Sequence, residues 1–136
     1  MYLIKHKLIA NDNIDQIKET IHRLHQSKFR QDIILRDKKC IISDADPIEC
    51  EVAHIIPYSE CNSYSISNGI LLNSCLHKLF DKYLFSINPE TSIIHISNIN
   101  TDLSINMYKN KYINIDSSYK PNLIIHYNKF LKKNSY

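Results

Sequence analysis

The chemistry this chain can perform rests on a few residues at fixed spacing. In Leu76-His77-Lys78-Leu79-Phe80-Asp81, His77 and Asp81 stand four apart. The apolar positions Leu76, Leu79, Phe80 and Tyr83 recur at i, i+3, i+4 and i+7, which predicts a helix with one buried stripe. On such a helix the imidazole and the carboxylate lie side by side, so both can reach one point. Together they suit a divalent cation, whether Mg²⁺, Mn²⁺, Ni²⁺ or Zn²⁺. A second histidine, His54, ends the stretch Glu51-Val52-Ala53-His54 that Ile55, Ile56 and Pro57 follow. Imidazole titrates near neutrality and can take a proton from water at physiological pH. A base facing a two-donor cation site is equipment for hydrolysing a phosphodiester.

These groups need three elements to hold them. Glu51 to Ile56 reads as a short strand stopped by Pro57. Asn68-Gly69 marks a tight turn entering a second strand, Ile70-Leu71-Leu72. The helix of His77 follows, completing a β-β-α unit. Gly69 is the only glycine of the chain, so its position is expected to need a positive φ or a close approach. Taken singly, each feature has a plainer reading. A histidine in an apolar strand is commonly a hydrogen-bonded core residue, Asn-Gly a simple turn, and a His and Asp pair a surface contact.

Three linked pieces in order are more specific. Glu51-Val-Ala-His54-Ile-Ile-Pro57, Asn68-Gly-Ile-Leu-Leu72 and His77-Lys-Leu-Phe-Asp81 resemble the HNH endonucleases, also called ββα-metal nucleases. The nearest likeness is to the subgroup patterned Glu-x-Ala-His-Ile-x-Pro, Asn-Gly-x-x-Leu and His-x-x-Phe-Asp. Upstream, Gln26-Ser27-Lys28-Phe29-Arg30 and Cys40-Ile41-Ile42-Ser43 resemble that subgroup's Gln-x-x-Phe-Arg and Cys-x-x-Thr-Gly, with Ser43-Asp44 replacing Thr-Gly. The likeness runs over about residues 22–97.

The resemblance implies a metal-dependent DNA endonuclease, and the chain shows no obvious sequence-reading module, so low sequence specificity is expected. His54 is then the general base, and His77 with Asp81 holds one divalent ion, Mg²⁺ or Mn²⁺ foremost, with Zn²⁺ or Ni²⁺ as alternatives. Asn68, the middle letter, orders the loop that aims the base and in some members reaches the metal. Many members carry a further ligand just before the base. Ala53 occupies that place here, and Glu51, two residues earlier on the same strand face, is the substitute, acting directly or through water. Products are expected to carry a 5′ phosphate and a 3′ hydroxyl. The alternative is a DNA-binding or structural protein that keeps the fold without cleavage; RNA as substrate involves the same chemistry.

Composition agrees without deciding. The 136 residues are expected to form one domain, with the motif core at about 40–97, and 43% hydrophobic residues suffice for a globular core. A net charge of +3 permits a nucleic-acid partner. Arg30 is a candidate for DNA contact, or for packing beside Phe29. Lys78 and Lys82 flank the pair of His77 and Asp81 and either neutralise phosphate or form a solvated face. Tyr58 and Tyr64, in a polar loop over 58–67, either touch DNA or are half buried. Cys40, Cys50, Cys61 and Cys75 include no Cys-x-x-Cys pair, so reduced thiols in an intracellular protein are expected, without a zinc knuckle. No run of ~18 apolar residues predicts a membrane span, and the first residues lack the apolar segment of a signal peptide.

The expected fold is α+β: a ββα-metal (His-Me finger) core with N-terminal helices, a β-hairpin and a C-terminal helix. The helices are expected at about 13–24 and 27–37, separate or joined as one bent helix. A short strand or arm is expected over 2–9, a strand at Cys40–Ile42, the hairpin at 84–87 and 93–96, and a short strand at 112–115. The last helix begins near Pro121 with an apolar face of Leu123, Ile124, Tyr127 and Leu131.

Overall fold

The structure, a computed structural model, describes residues 11–98 and 102–135. The expectation for residues 2–9 lies outside the described residues. The strands β1 (Cys50–His54) and β2 (Gly69–Asn73) pair antiparallel, with Cys50 opposite Asn73 and His54 opposite Gly69. A short helix α2 (Tyr58–Cys61) and a 3₁₀ turn (Ile66–Asn68) connect them. Helix α3 (Ser74–Asp81) starts directly from β2, because the Asn73 side chain caps it by accepting the Leu76 N–H at 2.9 Å. The architecture is the expected α+β arrangement around a ββα unit.

Helix α1 (Asn11–Asp37) is one continuous element, not two. No glycine or proline interrupts residues 24–27, so nothing in the sequence stops it. Its 27 residues extend about 40 Å at 1.5 Å per residue, further than a core this small can cover. Only the C-terminal half packs inward, through Phe29 and Ile33. The N-terminal half leaves apolar side chains largely open: Ile14, Ile21 and Leu24 are 42–62% exposed. The helix is fastened at its end by Asp37, which accepts the Leu71 N–H at 3.0 Å, and by Arg36, which pairs with Asp37 at 2.7 Å and donates to the carbonyls of Ile66 and Gly69.

One expectation at a turn is corrected, and at Gly69 the second of the two alternatives holds. Cys40–Ile42 is turn, not strand, although Ile41 donates to the Leu71 carbonyl at 3.0 Å; left-handed residues on both sides, Lys38 and Asp44, keep the segment from extending. Asp44, which replaces the family-like glycine, adopts φ 61°, a conformation that aspartate tolerates better than most residues. Gly69 needs no positive φ; it lies in extended backbone at φ −144°. Its requirement is space, since a Cβ there would meet Phe29 Cζ at 2.5 Å.

Behind the unit, β3 (Phe85–Ile87) and β4 (Ile94–Ile96) form the expected hairpin. Tyr83, expected in the helix stripe, lies past the end of α3 at φ 56° and is still buried. The strand expected at 112–115 reduces to a single bridge between Tyr112 and Ile93. Helix α4 (Lys120–Lys133) has Pro121 in its first turn but buries Leu123, His126 and Phe130, leaving Ile124 43% exposed. A polar residue, His126, occupies the inward position that hydropathy alone assigns to a neighbour. Among the described residues, no helix is long and apolar enough to cross a membrane.

Candidate active site

The unit brings both halves of the sequence motif to one cavity of about 430 Å³. Its lining includes His54 from the end of β1, Tyr58 from α2, His77 and Asp81 from α3, Tyr83, and His126 from α4.

His77 lies between two carboxylates. Its Nε2 is 3.1 Å from Asp81 Oδ2, and its Nδ1 is 2.8 Å from Glu51 Oε1. The Asp81 hydrogen bond above all, with the Glu51 bond adding to it, holds the imidazole pKa above its ordinary value, against the opposing effect of burial. The pairing of this Nε2 with the Asp81 carboxylate fits a divalent ion. Neighbouring donors about 2.1 Å from an octahedral Mg²⁺ or Mn²⁺ stand about 3.0 Å apart, close to the observed separation. Among the described residues, no three His, Cys, Asp or Glu side chains converge as a ready cage, so water and substrate oxygens would complete the shell. Glu51, expected as a further ligand, stands on the other ring nitrogen. The two nitrogens of an imidazole point apart, so the carboxylate is placed to orient His77 and fix its tautomer, the usual partner of a metal-binding imidazole.

His54 has the opposite surroundings. Its ring lies 5.0 Å, centroid to centroid, from that of Phe29, and its Nε2 is buried with no hydrogen-bond partner among the described residues. Buried polar atoms in folded proteins are nearly always paired, so an exception beside a cavity marks a group kept for another use. Burial lowers the His54 pKa; the Asp81 carboxylate partly opposes this, and His77 adds to it. The imidazole is therefore neutral at physiological pH.

Asn68 fixes the chain just beyond His54. Its Oδ1 accepts the Ile56 N–H at 2.7 Å and its Nδ2 donates to the Ile56 carbonyl at 2.9 Å. The Asn68 carbonyl accepts from Ile55 at 3.1 Å. Asn68 is buried and does not line the cavity, so its placement is that of a positioning residue. Phe29 braces the other side, against both His54 and Gly69. The Gln-x-x-Phe-Arg likeness pointed to Phe29 as packing; its contact with His54 became visible only once α1 crossed the ββα unit.

The cationic residues divide. Arg30 donates to the carbonyls of Cys50 at 3.1 Å and Pro47 at 3.0 Å. It clamps the entry to β1, which is the packing alternative that the sequence offered for it. Lys78 and Lys82 are exposed, with no side-chain partner among the described residues, on the helix that carries His77 and Asp81. Sequence reasoning missed His126, whose ring stacks on Phe80 at 3.7 Å and on Tyr83 at 4.6 Å. Burial pushes its pKa down to about 4, and its Nδ1 is 2.7 Å from the Ser86 hydroxyl, so it serves as a neutral wall of the cavity. Its place in α4, remote in sequence from the motif, gave no signal.

No curated protein matches the chain. A family model described as HNH endonuclease matches residues 40–88, a span that contains β1, β2, α3 and β3. The ββα unit, with His54 and His77 facing one cavity, lies within that same span, so residues 40–88 are similar to the HNH endonuclease family in both pattern and arrangement.

Proposed function

We propose that this protein is a metal-dependent endonuclease that hydrolyses DNA phosphodiester bonds with low sequence specificity. The observation that carries the reading is His54: a neutral imidazole with an unpaired buried nitrogen, lining the cavity that His77 and Asp81 also line. His54 accepts a proton from water, and the resulting hydroxide attacks phosphorus as the 3′ oxygen leaves. Asn68 and Phe29 hold His54 in place, and Glu51 holds the His77 ring so that Nε2 faces Asp81. A divalent ion, Mg²⁺ or Mn²⁺ foremost, bound by His77 and Asp81 would supply Lewis-acid charge to phosphate oxygens. Lys78 and Lys82 offer point charges to neighbouring phosphates. Low specificity is supported by two of the three arginines, the side chains best suited to reading guanine edges: Arg30 and Arg36 are engaged on backbone carbonyls.

Plasmid nicking tests this directly. Supercoiled DNA should be nicked with Mg²⁺ or Mn²⁺, left intact with a chelator, and resealed by ligase because the ends are 5′ phosphate and 3′ hydroxyl. DNA that is bound but never cut, whatever the metal, would instead support a binding protein that keeps the fold without the reaction.

A further inference from the structure

A second cavity lies next to the catalytic histidine. It measures about 230 Å³ and is lined by His25, Lys28, Phe29, Asp32 and Tyr64. Two of its walls, Phe29 and Tyr64, have ring centroids 5.0 and 6.4 Å from that of His54, so one layer of rings separates the pocket from the base. Tyr64 is held by its neighbours. Its hydroxyl bonds His22 Nδ1, and its ring meets Tyr58 at 4.9 Å, His25 at 5.6 Å and Phe29 at 6.0 Å. Lys28 closes the rim, paired with Asp32 at 3.1 Å, so the pocket does not present a bare carboxylate to a polyanion.

We infer that this pocket takes an unpaired nucleobase of the strand whose phosphate lies at His54, which makes single-stranded or locally unpaired DNA the favoured substrate. The inference rests on the nuclease reading above. Three features select a base as occupant. The pocket is smaller than the ~300–1,000 Å³ of drug-sized sites, which suits one ring system. Its aromatic walls offer the face-on or edge-on contact that any base can use without regard to sequence. Its Phe29 and Tyr64 walls pack on His54 and Tyr58 of the catalytic cavity, so the two sites are neighbours and one strand can serve both, with a phosphate at one and a base at the other. A base within a duplex is already stacked, and filling the pocket from duplex DNA costs the unstacking energy.

The test is binding with metal chelated, so that no cleavage occurs. Fluorescence anisotropy compares a labelled single-stranded oligonucleotide with one of equal length in which abasic sites replace the bases. Wild-type protein should bind the normal strand about 5- to 100-fold more tightly, the usual worth of base–aromatic stacking. Tyr64→Leu should remove that gap while leaving affinity for the abasic strand unchanged. Equal wild-type affinity for the two strands overturns the inference, as does a Tyr64→Leu protein that keeps the gap or weakens on both strands alike. If Tyr64→Leu does not fold, the wild-type comparison still decides. A protein that prefers the normal strand yet nicks nothing keeps the pocket and loses the nuclease reading; one that nicks without the preference does the reverse.

Discussion

His54 and His77 line the same cavity in opposite environments. His77 lies between two half-exposed carboxylates that favour its protonated form and, equally, favour a cation in place of the proton. His54 lies half-buried against Phe29, where charge is disfavoured. The residue type is the same and the roles diverge. Surroundings that favour positive charge suit a metal-binding group, and surroundings that resist it keep a base ready to accept a proton. Each histidine also has its own positioning residue: Glu51 on the ring of His77, and Asn68 on the backbone beyond His54.

The largest expected effect breaks the His54 side alone. His54→Ala should slow single-turnover cleavage by about 10²- to 10⁴-fold, the worth of a positioned base, with DNA affinity and metal affinity retained. Full cleavage by a folded His54→Ala protein rules the base out. A matched loss of melting temperature, binding and cleavage shows instead that His54 only fills the core.

A smaller effect is expected on the other side. Glu51→Gln keeps the shape and removes the charge that orients His77. Calorimetric titration with Mn²⁺ should show affinity reduced about 10- to 100-fold, as for other outer partners of metal-binding histidines. Unchanged Mn²⁺ affinity means the Glu51 contact does not serve the metal site.

The smallest effect is the pH behaviour of the two imidazoles in metal-free protein. Histidine NMR titration should place His77 above the ordinary value and His54 below it. The signs for stability follow. The His77 contribution is full below its unfolded pKa and is lost as pH rises through the raised folded value. The His54 contribution is present above its unfolded pKa and is lost as pH falls towards the depressed folded value. Cleavage should rise with pH as His54 loses its proton. Coincident titration of the two rings removes the contrast between them.

Much of this was legible in the linear chain. The strand of His54, the helical period around Leu76, Leu79 and Phe80, and the i, i+4 spacing of His77 and Asp81 are local patterns, and local geometry is what periodicity encodes. The role of Gly69 was half legible. A lone glycine signals a backbone demand, but only the passage of α1 over β2 shows that the demand is room for Phe29. Arg30 could not be assigned from sequence, because a charged residue on a helix reads the same whether it meets phosphate or the carbonyls of Pro47 and Cys50. Glu51 posed a similar problem: the strand register brings it to His77, and which ring nitrogen it meets depends on how α3 packs on β1. His126 was invisible as part of the site, since it comes from an element whose own pattern carries no trace of the cavity. The sequence by itself determined the chemical groups and the elements that bear them, because both depend on neighbours along the chain. The tertiary structure alone decided which nitrogen is paired, which imidazole has a buried nitrogen and which lysines stay exposed, because burial and hydrogen bonding depend on neighbours in space.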